Sequence, residues 1–186
     1  VWNEQLKREI PRGWDVTTVE KTVAKIPNTL RVPTGEYMID GSIPIIDQSS
    51  EFIAGYTDNK DAVLISESGY IVFGDHTRIV KYIRFPFARG ADGTQVIKSN
   101  NERLPDELFY QMIRSIGLSS YGYARHFKFL KDTMIILPKK LVADSFSDIV
   151  KPIYEKQVKL IFENIELSKL RDWLLPMLMN GQARVE

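Results

Sequence analysis

The side chains in this sequence that could do chemistry crowd into two stretches. From Ile71 to Val96, IVFGDHTRIVKYIRFPFARGADGTQV, cations stand among β-branched and aromatic residues. Arg78, Lys81 and Arg84 fall at intervals of three, followed by Arg89, and Gln95 lies beyond the turn Gly90-Ala91-Asp92-Gly93. From Ser119 to Lys131, the aromatics Tyr121, Tyr123, Phe127 and Phe129 are interleaved with Arg125, His126, Lys128 and Lys131. Arginine and lysine grip phosphates or the acceptor edge of guanine, glutamine can pair twice with adenine, and aromatic rings stack on bases. The chemistry these residues suit is the binding of a polyanion. Only Asp75-His76 invites a hydrolytic reading, because a carboxylate can orient an imidazole as a general base. Nothing supports that pair. There is no Gly-x-Ser-x-Gly elbow, since Gly117-Leu118-Ser119-Ser120-Tyr121-Gly122 has the wrong spacing, and no His-Glu-x-x-His, Walker loop or dinucleotide fingerprint. The sequence is read as non-catalytic, with no metal and no cofactor.

The elements that must position these groups follow from the apolar pattern. Ile71-Val72-Phe73 and Ile79 to Phe87 read as strands separated by Gly74-Asp75, and the turn at residues 90–93 leads into a third strand. Upstream, Pro11 and Gly13 break the chain before Trp14, and residues 17–24 read as a short helix or strand. Ser42 to Asp47 reads as a strand that Pro44 relegates to an edge or a bulge. Further short strands are expected at Phe52 to Tyr56 and Ala62 to Ile65. Leu104-Pro105-Asp106-Glu107 opens a helix running to about Ile116, with Leu108, Phe109, Met112, Ile113 and Ile116 on its buried face. Thr133 to Leu137 returns to strand.

From about Ala143 the pattern changes. Phe146, Ile153, Leu160, Leu167 and Leu174 recur every seven residues, predicting a long helix with a seam for a partner helix. The companion row Val150, Gln157, Asn164, Arg171 and Leu178 is mostly polar, which suits setting register rather than a simple two-stranded coil. Starts, kinks or stops are expected at Pro152 and Pro176, and an end at Gly181. Residues 147–176 alone span roughly 45 Å at the rise of an α-helix, more than a domain this size needs for itself. The expected class is α+β: a mixed domain over residues 1–143 with a twisted sheet and short helices, a long C-terminal helix over 144–180 as a coiled-coil-like arm, and a tail at 181–186.

Composition bounds these readings. With 186 residues and 44% hydrophobic content, the chain can bury one substantial core. Lysine plus arginine number 25 against 24 acids, so attraction to nucleic acid must come from clustering rather than bulk charge. The sequence has no cysteine, which rules out disulfides and thiolate sites and fits the cytoplasm. No apolar run approaches a membrane span. A first residue of Val rather than Met suggests a fragment.

Three stretches carry a family resemblance. Glu9-Ile10-Pro11-Arg12-Gly13-Trp14 is similar to a domain-entry motif "IPxGW", GDHTRIVKYIRFPFARGADGTQV from Gly74 to Val96 to a target-recognition domain, and Leu170-Arg171-Asp172-Trp173-Leu174-Leu175-Pro176 to a helix end "LRDxLLPxL". In this order they resemble the DNA-specificity subunit of type I restriction-modification systems. The resemblance implies recognition of one half of a bipartite site in double-stranded DNA, with separate methyltransferase and restriction subunits supplying catalysis. The Asn-Pro-Pro-Tyr signature of the methyltransferase partner is absent. Such subunits usually carry two recognition domains joined by two helices, whereas this chain has one of each. It is expected to be a carboxy-terminal half or a half-size subunit, its helix pairing with that of another specificity half or of a second copy. On residue chemistry, the DNA-contact candidates are Arg78, Lys81, Arg84, Arg89, Gln95, Arg125, His126 and Lys128. The helix-interface candidates are Phe146, Ile153, Leu160, Leu167 and Leu174. The competing reading is a scaffold that assembles through its helix and binds no DNA.

Overall fold

The computed structural model describes residues 1–90, 92–118 and 125–182. The chain divides into two compact units, Val1–Val150 and Lys151–Glu186.

In the first unit, the hairpin of β1 (Trp2–Asn3) and β2 (Arg8–Glu9) precedes β3 (Asp15–Thr18), which runs directly into α1 (Val19–Thr22). Next come β4 (Ile43–Ile46), β5 (Gly55–Thr57) and β6 (Val63–Leu64). The central stretch forms β7 (Tyr70–Gly74), β8 (Val80–Ile83), β9 (Phe87–Arg89) and β10 (Thr94–Ile97). The helices α2 (Asp106–Ser115) and α3 (His126–Asp132) are followed by β11 (Met134–Leu137) and by α4 (Lys140–Met179), which crosses into the second unit.

Among the described residues the strands make several small sheets rather than one. They are ordered β10-β7-β8, β5-β4-β9-β6, β11-β3 and β1-β2. The expected single strand from Ile79 to Phe87 is split, because Pro86 has no N–H for a ladder and restricts Phe85 before it. As a result β8 pairs with β7 while β9 crosses to the other sheet, parallel to β4 and antiparallel to β6. Strand β4 is interior, not the edge that Pro44 suggested. Pro44 faces Tyr56, whose N–H and carbonyl are both engaged with Met38 on its far side at 2.9 Å. The pairing with β9 starts only at Ile45, so no ladder needs the missing donor.

The core is built from the buried sides of these sheets and α2, with Phe73, Phe87, Phe109, Ile45, Ile83 and Leu104 fully buried. Helix α2 buries Phe109 and Ile113 as its periodicity predicts. Its two first-turn acids are also buried. Asp106 accepts from Ser99 N at 2.8 Å and Ser68 Oγ at 2.6 Å, and Glu107 accepts from Ser147 Oγ at 3.2 Å. Burial pushes the Asp106 carboxyl above its ordinary pKa, against those two hydrogen bonds.

In the second unit, α4 continues unbroken through both Pro152 and Pro176 rather than starting or stopping there. Counted from Lys140, its 40 residues correspond to about 60 Å of helical rise. No helix among the described residues is long and apolar enough to cross a membrane.

Candidate nucleic-acid interface

The site is assembled where the β7–β8 turn, the turn ahead of β10 and the start of α3 meet. Asp75, just after β7, binds all three together. Its N–H donates to Gly93 O at 2.7 Å, its carbonyl accepts from His126 N at 3.0 Å, and its Oδ1 accepts from Phe127 N at 2.8 Å. The first N–H groups of a helix lack partners within it, and here a residue distant in sequence supplies them. His126 Nδ1 also lies 3.0 Å from the Asp75 carbonyl. A carbonyl only accepts, so Nδ1 carries the proton, while the buried Nε2 has no hydrogen-bond partner among the described residues. The aspartate–histidine contact in this protein is therefore Asp75 with His126, not with its neighbour His76. It is a scaffold that pins α3, with both residues at most 5% exposed.

This pinning delivers Arg125 and Lys128, both exposed, to the side of Gln95 on β10. The three share a cleft of about 510 Å³ with Phe127, Lys131 and Asp132. Lys131 is anchored there, 3.1 Å from Glu20 and 5.7 Å above the Phe127 ring. The exposed cations and the glutamine amide can engage phosphates and base edges respectively.

The remaining candidates divide sharply. Arg78 is exposed at the tip of the β7–β8 turn in the left-handed region (φ 62°), with Nη1 donating to Leu118 O at 3.1 Å. Lys81 is a correction: it is 5% exposed and its ammonium donates to the carbonyl of Glu51. Burial lowers its pKa, partly offset by Asp47 and Glu51. An interval of three suits a helix face, but strand side chains alternate, so Lys81 faces opposite to the even-numbered positions around it. His126 is the second correction, since its imidazole is consumed inside the scaffold. Arg84 and Arg89 are half-buried. Burial lowers the Arg89 pKa, and nearby Arg31 lowers it further. Tyr121 and Tyr123, with Ser119, Ser120, Gly122 and Ala124, lie outside the described residues. The sequence reading missed Asp75 as the organiser, and its only available signal was a buried-type turn acid followed far downstream by an aromatic helix start.

Along the helix, Phe146 and Leu174 are half-buried, while Ile153 is 61% exposed and Leu160 and Leu167 are also exposed. Tyr154, Val158, Ile161 and Ile165 form a second, half-buried row. Phe162, Leu170, Trp173, Leu175 and Leu178 are exposed besides. The apolar surface is thus wider than one heptad seam.

No protein-family model matches the chain. It is 26% identical, over an alignment of 209 residues, to the specificity subunit of type I restriction enzyme MjaIX from Methanocaldococcus jannaschii. That alignment covers 100% of this chain and 48% of the relative, so the chain spans about half its relative's length. The fold is similar to the S subunit of a type I restriction-modification system from M. genitalium, with TM-score 0.62 and 14% identity over 87% of this chain and 44% of that one. It is also similar to a chain from a structure described as addressing complex assembly and conformational transition of the type I system, with TM-score 0.51 and 16% identity over 91% and 46% of the two chains. In sequence along its whole length and in fold over most of it, the chain is similar to about half of a type I restriction specificity subunit.

Proposed function

We propose that this chain is a non-catalytic specificity element that reads one half of a bipartite duplex DNA target for a type I restriction-modification assembly. The observation that carries the reading is the convergence of Gln95, Arg125 and Lys128 on one cleft, held by turns that Asp75 locks together, in a chain that resembles such subunits end to end. Arg125, Lys128 and Arg78 are assigned to phosphates or guanine, and Gln95 to a base edge. The α4 segment after Val150 is assigned to pairing with a second helix, from another specificity half or a second copy, and the assembly to docking methyltransferase and restriction subunits in the cytoplasm.

The phosphate assignment predicts that Lys128→Ala weakens binding to all duplexes and lowers the slope of log affinity against log salt by about one. Lys81→Met is expected to leave that slope unchanged, because its ammonium is buried. Equal slopes for the two variants would remove the cleft as the DNA surface. The whole reading is tested by reconstituting the chain with a cognate adenine methyltransferase subunit and mapping methylated adenines in plasmid DNA. A bipartite motif with identical inverted halves is expected for a self-pairing subunit. A motif that appears only when the chain is grafted into a full-length subunit is expected for a half. Absence of any motif in both settings, with no duplex preferred by the complex, would favour the scaffold reading.

A further inference from the structure

We infer that Gln48, just after β4, is the positioning residue that sets the spacing between the two turns of the proposed DNA-reading surface; this inference rests on the function proposed above. Its side-chain amide spans both turns. Nε2 donates to the carbonyl of Asp92, ahead of β10, at 3.0 Å, and Oε1 accepts from His76 N in the β7–β8 turn at 3.1 Å. Its backbone carbonyl accepts from Thr77 Oγ1 at 2.6 Å. One residue therefore makes three bonds to two loops that lie 28 to 44 positions away in sequence.

The packing around it leaves no slack. Gly93, at φ +82°, approaches so closely that a Cβ there would sit 2.5 Å from Gln48 Nε2, and one at Gly74 would sit 2.9 Å from Gln48 Cβ. The glycines on both turns thus serve as contact points for this glutamine as well as meeting backbone demands. Gln48 is itself held by its surroundings: neighbouring Asp47 Oδ1 accepts from Ser49 N at 2.9 Å and Ser49 Oγ at 2.6 Å. Gln48 and Asp92 also line a second cleft of about 470 Å³ with Arg31 and Thr34, where Arg31 lies 3.6 Å from Asp92. Asp75 ties the two turns to α3 from inside the fold. Gln48 ties them to β4 from outside, and both of its recorded amide hydrogen bonds go to backbone, so it acts through the turns it holds. A spacer of this kind changes which sequence is preferred more than how tightly phosphates are held.

The test compares the assembled complex carrying the natural chain with one carrying Gln48→Met, which keeps side-chain length and loses both amide bonds. Each selects from duplexes with a randomised core, and the ratio of selected to random-duplex affinity is measured together with the salt slope. The expected result is a fall in that ratio of about tenfold, comparable to one base mismatch, with the salt slope unchanged. A merely structural role would lower the melting temperature and leave the ratio alone, and that result would overturn the inference. Should Gln48→Met not fold, Gln48→Glu carries the same test, since it keeps the acceptor for His76 N and loses the donor to Asp92; an intermediate fall is expected and an unchanged ratio overturns. If the natural chain itself selects no duplex, the DNA-reading function fails and this inference with it. If it selects and both variants select equally well, only the role of Gln48 fails.

Discussion

The two units of this protein spend similar side chains in opposite ways. In residues 1–150 many aromatic and β-branched residues face inward, and the unit supplies its own core: Phe73, Phe87 and Phe109 are fully buried. In residues 151–179 many large apolar side chains stay exposed, Trp173 to 59% and Leu167 to 54%. Burying apolar surface stabilises by about 25 cal/mol per Å². The first unit already collects that stabilisation, whereas much of the apolar surface of the second is left exposed. The same hydrophobic content therefore builds a core in one region and an exposed apolar helix in the other, the surface proposed above for pairing.

The comparison breaks if the core of the first unit proves dispensable. Phe87→Ala is expected to cost roughly 3–5 kcal/mol through lost transfer energy and a cavity, measured by denaturant unfolding; a loss below about 1 kcal/mol would mean the unit is not organised around these aromatics. Asp75→Ala should cost about 1–3 kcal/mol, because Phe127 N is left without its acceptor. Asp75→Asn, which retains the oxygen, should recover most of that. Amide hydrogen exchange at Phe127 and His126 localises the effect, and no gain in exchange at α3 would dissolve the scaffold.

A smaller effect concerns acidity. The folded-state pKa of Asp106 is raised above its ordinary value of 3.8, so its contribution is fully present below that pH and is lost as pH rises through the raised value. Natural protein should therefore lose stability over this window relative to Asp106→Asn, which can still accept from Ser99 N and can donate to Ser68. Parallel stability curves for the two proteins would contradict the shift. The smallest effect expected on the first unit sharpens the contrast most: Leu160→Asp should change its unfolding by no more than about 0.5 kcal/mol and yet abolish the pairing proposed for the helix, read by sedimentation-equilibrium mass. Loss of both would make the helix part of the core.

Much of the architecture was legible locally. Strands fall where apolar and β-branched residues cluster, turns fall just after Gly74 and at Gly93, and the seven-residue repeat from Phe146 to Leu174 lies in one continuous helix. These follow from short-range sterics and periodicity, which a linear pattern carries. The two prolines inside α4 mislead, because a local rule about a missing N–H ignores how much a long helix gains on either side.

Which cations reach the surface was decided only by the fold. Arg78, Lys81 and Arg84 look equivalent in sequence, but only Lys81 falls inside β8, where its side chain is buried, and Pro86 ends the strand the spacing assumed. His126 looks like a partner for DNA until its imidazole meets the carbonyl of Asp75, 51 positions away. Gln48 looks like a loop residue until it bridges two turns. The sequence by itself determined most of the strands, the long helix and the family resemblance, because each depends on neighbours or on motifs in order. The tertiary structure alone decided which of these side chains lie at the surface, because whether a charge is buried or exposed depends on contacts between residues that are far apart along the chain.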